Sequence, residues 1–181
     1  MAYINYEIEQ GQLKRATFLY ERALSSSSDM QNNIHMWVSY MNFIQEKLND
    51  VTTAKAKYEQ KLKDAHVLKT ESQIDLLIEN ALFEEILGNH PRARKIYEQL
   101  DQDIAPGLIK ASIARINFEK RCGNNDKKVR EIYYKVFEDQ LAKNEGKAVA
   151  HVASQYSRYL AFKCNDQEAA MNVYNQAIQK P

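Results

Sequence analysis

One phrase recurs five times along this chain and constrains its fold more than any other feature. A small residue stands four positions before a tyrosine: Ala16 and Tyr20, Ala54 and Tyr58, Ala93 and Tyr97, Val129 and Tyr133, Ala170 and Tyr174. The tyrosines are separated by 38, 39, 36 and 41 residues. Nine positions before each tyrosine stand Gly11, Asn49, Gly88, Asn124 and Asn165. Fourteen or fifteen before comes an apolar anchor: Tyr6, Phe43 or Ile44, Phe83, Phe118, and Tyr159 or Leu160. A period of this length marks supersecondary units that bury their apolar faces by stacking.

Each offset has a physical reason. Gly and Asn enter the left-handed conformation that ends a helix more easily than other residues, so the position nine before each tyrosine closes one helix. The next helix begins at once, with Asp50, Asp126 and Asp166 as N-cap acceptors and Pro91 in a first turn. Ala, then Tyr at i+4, then an apolar residue near i+7 or i+8 forms one helical stripe. The small residue lets two helix axes approach, and the tyrosine ring fills the space beside the crossing. The result is ten helices in five antiparallel pairs, over 1–10, 12–25, 31–48, 50–69, 71–88, 91–101, 106–122, 126–143, 147–164 and 166–180. Thr70 with Gln73 reads as a capping box, and Pro106 as the opening residue of a helix. The second-pair helix from 50 is long, and its stretch from Lys61 to Thr70 reads alternatively as a frayed tail. Ser25, Ser26, Ser27 and Ser28 read as a surface connection.

Composition supports the all-α reading. Five glycines and three prolines in 181 residues are too few for the turns of an all-β sandwich. With 44% apolar residues and eleven tyrosines the chain has material for a packed core. Twenty-five basic against 24 acidic residues exclude a globally basic nucleic-acid binder. Two cysteines, Cys122 and Cys164, fall outside any ligand spacing and read as reduced thiols. The opening residues lack a signal-peptide pattern and no stretch is long and apolar enough to span a bilayer, so cytosol or nucleus is expected.

No catalytic constellation is visible. His35, His66, His90 and His151 are scattered, the serine run has no glycine elbow, and there is no phosphate-binding glycine loop. The expectation is a non-enzyme with no cofactor and no metal. The aromatic stripe of Trp37, Tyr40, Phe43, Tyr58, Phe83, Tyr97, Phe118 and Tyr133 suits base stacking, but its repetition at helical spacing favours the inter-helix core. Tyr3, Tyr134, Tyr156 and Tyr159 fall partly outside that register and are better candidates for exposed contacts. Charge is uneven: residues 71–89 carry Glu71, Asp75, Glu79, Glu84 and Glu85 with no Lys or Arg. The stretch 110–135 carries Lys110, Arg115, Lys120, Arg121, Lys127, Lys128, Arg130 and Lys135 against three acids. That basic group is either balanced by the acidic helix or available to RNA phosphate or an acidic partner.

The run Trp37-x-x-Tyr40-x-x-Phe43, a Gly or Asn stop, and Ala16-x-x-x-Tyr20-Glu21-Arg22-Ala23-Leu24 resembles the half-a-tetratricopeptide (HAT) repeat of RNA-processing assemblies. Repeats three and four keep Phe83-Glu84 and Phe118-Glu119, repeat four replaces the Glu-Arg-Ala phrase by Tyr134-Lys135-Val136, and repeat five reads Asn175-Gln176-Ala177. Residues 114–124 and the run from Gln155 to Leu160 are similar to the pre-mRNA-processing factor 39 family. The resemblance implies a scaffold of the U1 small nuclear ribonucleoprotein in the nucleus, pairing through C-terminal repeats as a homodimer or with a related HAT protein. Cleavage-stimulation-factor scaffolds share the repeat and also dimerise. The reading is therefore an α-solenoid, TPR-like, over 1–181, with repeats near 1–28, 29–69, 70–104, 105–145 and 146–181 and a concave face for partners. Its partners are expected to be other splicing and RNA-processing proteins, with direct RNA binding through the basic group as the alternative. A solenoid needs capping repeats, so the chain reads as a segment of a longer protein.

Overall fold

The computed structural model describes residues 1–64, 70–123, 125–143 and 146–179. The stop expected at Asn124, His66, the stretch 65–69 and the helix end expected at 180 lie outside them, as does the Thr70 side chain. The described residues form α-helices joined by short turns, with no strand among them. The fold is all-α, built from helix pairs of the α-solenoid class.

The chain divides into two compact units, 1–80 and 81–181, and the division falls inside one helix. The first unit holds α1 (Ala2–Glu9), α2 (Leu13–Ser25), a one-turn α3 (Ser28–Gln31), α4 (Ile34–Glu46), α5 (Val51–Lys63) and the start of α6 (Thr70–Ile86). The second holds the rest of α6, then α7 (His90–Gln99), a π turn (Leu100–Ile104), α8 (Ile109–Cys122), α9 (Asp126–Lys143), α10 (Gly146–Phe162) and α11 (Gln167–Gln179).

The helix stops take the left-handed backbone that the repeat requires. Gly11, Asn49, Gly88 and Asn165 have φ of 70°, 53°, 75° and 52°. In repeat four the positive φ, 68°, falls on Gly123. Asp50 caps α5 by accepting from Thr53 N at 2.9 Å, and Asp166 caps α11 by accepting from Ala169 N at 3.0 Å. Pro91 sits in the first turn of α7.

Several local expectations are corrected. The cap of α9 is Asn125, whose Oδ1 accepts from Lys128 N at 3.1 Å; Asp126 is already helical and its carboxylate accepts from the Tyr159 hydroxyl instead. Pro106 does not open α8, because Gly107 comes next with φ 72°, a value no helix continues through, and the helix starts at Ile109. The serine run is more than a connection. Ser25 ends α2, and Ser27 caps α3 by accepting from Met30 N, which delays α4 to Ile34. That extra turn is pinned from both sides: the Gln31 carbonyl accepts from the Trp37 indole at 2.6 Å and from the buried Lys61 ammonium at 2.7 Å. The first helix of pair two runs 34–46 instead of 31–48, and its partner ends at Lys63.

The repeat positions form the spine of each unit. Ala16, Ala54 and Ala93 are fully buried and Val129 nearly so, which lets the paired helices close up. Tyr20, Tyr58, Tyr97 and Tyr133 are also buried, as are Tyr40, Phe43, Phe83 and Phe118. The rings of Tyr20, Tyr97 and Tyr133 are roofed by the first helix of the next pair. Tyr20 stacks on Tyr40 at 5.0 Å and meets Phe43 at 5.4 Å; Tyr97 meets Phe118 at 5.0 Å; Tyr133 lies between Tyr156 at 5.1 Å and Tyr159 at 5.6 Å. Tyr156 and Tyr159 are therefore roof residues, not the exposed contacts expected of them. Tyr3 and Tyr134 are exposed.

Candidate interaction surfaces

Three chemical features sit on this frame: a buried ionic clamp within some repeats, a basic group around α8 and α9, and an apolar face on α10 and α11. The clamp starts from an acid placed directly after the anchor aromatic. Glu7, Glu84 and Glu119 stand next to Tyr6, Phe83 and Phe118 in sequence, and all three acids are buried; Phe83 and Phe118 are buried anchors, whereas Tyr6 is 54% exposed and does not fill the anchor place expected of it. A base five positions before the repeat tyrosine reaches each one: Arg15 to Glu7 at 3.3 Å, Arg92 to Glu84 at 3.0 Å, Lys128 to Glu119 at 3.0 Å. The two repeats with an aliphatic residue in place of the acid, Ile44 and Leu160, have Thr53 and Ala169 in place of the base. Acid and base thus come together or not at all, as expected where an unpaired buried carboxylate is costly.

Glu119 is held most tightly. Arg94 donates to both its oxygens, at 2.9 and 3.1 Å, while its guanidinium lies 5.4 Å from the Phe118 ring. Burial pushes the Glu119 carboxyl up, and the bonds from Arg94 and Lys128 more than reverse this, leaving it below its ordinary value.

Most of the basic group is engaged within the chain. Arg115 is buried and meets Asp101 at 2.8 Å and Glu98 at 3.4 Å. Arg121 forks onto Glu85 of the acidic helix at 2.7 and 2.8 Å. Lys128 also binds Glu98 at 2.9 Å, and Arg130 pairs with Asp166. Lys120 donates to the Tyr133 hydroxyl at 2.7 Å and lies 4.9 and 5.1 Å from the Tyr133 and Tyr159 rings; burial lowers its pKa. Lys110 and Lys127 are exposed. The sequence brings eight cations into one stretch, and the fold hands at least four of them to carboxylates.

Cys122 Sγ lies 3.5 Å from His90 Nδ1, a proximity that their 32-residue separation hides. Burial raises the thiol's pKa, the opposite of what a reactive cysteine needs. Among the described residues no group of three or more His, Cys, Asp or Glu is arranged to hold a metal.

The last repeat departs from the other four. Ala170 is buried, but Tyr174 is 50% exposed, so its expected place in the core is corrected. Among the described residues no helix covers the ring. Phe162, Met171 and Ile178 are exposed beside it at 85%, 62% and 70%. Between α10 and α11, Phe162, Met171 and Tyr174 border an apolar groove of about 420 Å³ that Ala161 and Arg158 also line.

Known proteins carry the same pattern. The family model described as the PRP39 C-terminal HAT repeat matches residues 1–121. Pre-mRNA-processing factor 39 of Xenopus laevis is 26% identical over 179 residues, covering 98% of this chain and 26% of the relative. The protein of that name from Schizosaccharomyces pombe is 27% identical over 123 residues, covering 68% of this chain and 19% of the relative. The chain thus spans about a quarter or less of the length of these curated relatives. With the repeated Ala–Tyr register, the left-handed Gly and Asn stops and the aromatic roofs all in place, the chain belongs to the PRP39 C-terminal HAT-repeat family.

Proposed function

We propose that the chain is a non-catalytic scaffold segment of a nuclear pre-mRNA-processing complex, one associated with the U1 small nuclear ribonucleoprotein. Its role is to join other splicing proteins and to pair with a second copy or a related HAT protein. A cleavage-stimulation-factor-like scaffold is the alternative that shares this repeat. The observation that supports the scaffold reading is the match of residues 1–121 to the PRP39 C-terminal HAT repeat, and the surface tested for pairing is the exposed apolar face of α10 and α11. It exposes a tyrosine, a phenylalanine, a methionine and an isoleucine at positions that a partner helix would cover, and adjoining apolar exposure of this kind marks association sites. Sedimentation of the chain over a range of concentrations is expected to show a monomer–dimer equilibrium. Tyr174→Glu with Phe162→Glu, both at solvent-exposed positions, is expected to shift it to monomer. A wild-type chain that stays monomeric at the highest concentration overturns the pairing.

The ion pairs of the basic group argue against a dedicated RNA module. Single-stranded RNA binding through the exposed ammonium groups of Lys127 and Lys135 is expected to be weak, with a log–log salt slope of about −1 to −2. It is expected to disappear by physiological salt. A filter-binding titration at two salt concentrations checks this, and tight binding that persists at physiological salt would restore the RNA reading.

A further inference from the structure

The roofs over two repeat tyrosines are built alike. The rings over Tyr20 and Tyr133 come from aromatic pairs three residues apart, Tyr40 with Phe43 and Tyr156 with Tyr159. That spacing puts both rings of a pair on one helical face. The roof hydroxyls reach back to the repeat they cover. Tyr40 donates to Glu21, one position after Tyr20, at 2.8 Å, and Tyr159 donates to Asp126, seven positions before Tyr133, at 2.5 Å. Four positions after the covered tyrosines, Leu24 and Phe137 are buried too.

Two faces of the chain hold the halves of such a junction with no counterpart among the described residues. On α1, Tyr3 and Tyr6 have the same three-residue spacing and stand before Tyr20 within one position of where Tyr40 and Phe43 stand before Tyr58. Both are about half exposed and roof no ring. Arg15 donates to the Tyr3 hydroxyl at 2.8 Å, which fixes that ring on the α1–α2 pair. On α11, Tyr174 and Ile178 hold the places of Tyr133 and Phe137, and both are exposed. Asn175 and Gln167 hold the places of Glu21 and Asp126, and their side-chain carbonyls can accept from a phenol. Ile8 and Phe162 also correspond, each twelve positions before its repeat tyrosine. The residues at that place in repeats three and four, Glu85 and Arg121, bond to each other across the junction. Here the two places hold apolar side chains.

We propose that α1 of a second copy docks on the α10–α11 face, so that Tyr3 and Tyr6 of one copy roof Tyr174 of the other and Ile8 meets Phe162. The inference rests on the pairing reading and specifies which face of the second copy meets α10 and α11. Charge selects this head-to-tail contact over a symmetric one between two α10–α11 faces. Arg158 is the charged side chain bordering the groove; it is exposed and makes no ion pair among the described residues. A symmetric contact brings two Arg158 guanidinium groups into one interface, where like charges are costly. The α1 helix carries Glu7 and Glu9 and no base, so head-to-tail docking sets an acidic helix against the unpaired arginine. The contact joins unlike faces, so a dimer made through it keeps one head and one tail.

Sedimentation of the whole chain tests this with three preparations: wild type, a head variant Tyr3→Glu with Tyr6→Glu, and a tail variant Tyr174→Glu with Phe162→Glu. Each variant alone is expected to self-associate at least about tenfold more weakly than wild type, because aromatic anchors dominate the energy of such contacts. Mixed in equal amounts, the two are expected to restore the dimer, since the head variant keeps an intact tail and the tail variant an intact head. All four positions are exposed, and circular dichroism verifies folding. Tyr3→Ala with Tyr6→Ala replaces the head variant if its helix content falls. A head variant that dimerises as wild type does, or a mixture that stays monomeric while wild type associates, would overturn head-to-tail docking and leave the pairing reading standing. A wild type that is monomeric at every concentration overturns both.

Discussion

Tyr133→Ala is expected to cost about 3–5 kcal/mol, the range for truncating a fully buried large aromatic side chain. Tyr133 is fully buried, its ring lies between Tyr156 and Tyr159, and its hydroxyl accepts from Lys120. Burial has pushed its phenol up to about 12, as expected of a ring sealed from water. The same substitution at Tyr174, in the same repeat register, is expected to cost less than about 1 kcal/mol because half of that ring already faces solvent. Urea denaturation monitored by circular dichroism measures both, and thermal midpoints should fall by roughly 6–20 °C for Tyr133 against a few degrees at most for Tyr174. The contrast isolates the roof. Both tyrosines occupy the same place in the repeat, and they differ in whether another helix covers them. Equal costs would mean that the roofing rings contribute nothing beyond the helix pair itself.

The same pair of tyrosines marks how far local sequence encodes the fold. The Ala–Tyr spacing and the Gly or Asn stops are local requirements, so they can be read from the chain alone. A small residue at a helix crossing and a left-handed residue at a helix end are dictated within a few positions. Whether Tyr174 is covered depends on a neighbouring helix, which no property of its own repeat encodes. Tyr156 and Tyr159 read as exposed contacts for a related reason. They roof the tyrosine of another repeat, so their role becomes visible only once repeats are stacked.

The one-turn α3 and the π turn are departures from the period, and a period-based reading averages them away. The basic group is legible as a group, but its partners are not. Arg121 meets Glu85 across 36 residues and Arg130 meets Asp166 across 36, about one repeat in each case. Charges one period apart therefore become neighbours, which makes a net count within a window a poor guide to surface potential. The buried clamp does leave a signal: Glu after the anchor aromatic occurs with a base five positions before the tyrosine in repeats one, three and four, and both are missing from two and five. Comparing repeats with each other, column against column, finds the pair without any structure.

The clamp at Glu119 supports the other large expected effect. Removing both of its bases, by Arg94→Met with Lys128→Met, leaves a carboxylate buried to 2% side-chain exposure with neither cation beside it. Breaking a buried pair in this way costs about 3–5 kcal/mol at neutral pH, because the charge remains and its compensation does not. Removing the acid instead, by Glu119→Gln, is expected to cost less, about 1–3 kcal/mol. Arg94 and Lys128 are partly exposed and can turn to water, and Lys128 keeps Glu98. The pH dependence gives the two losses different signatures. In the wild-type chain the Glu119 pKa is depressed, so its contribution is present above the ordinary carboxylate value and fades as pH falls through the folded value. In the double variant burial acts unopposed and raises that pKa, so protonation relieves the buried charge. The stability gap between wild type and double variant, measured by urea titration at successive pH values, is therefore expected to be widest at neutral pH and to narrow below about pH 5. A gap that stays constant with pH would mean that Arg94 and Lys128 stabilise the fold through their packing, Arg94 against the Phe118 ring above all, and that the Glu119 charge is not what they hold.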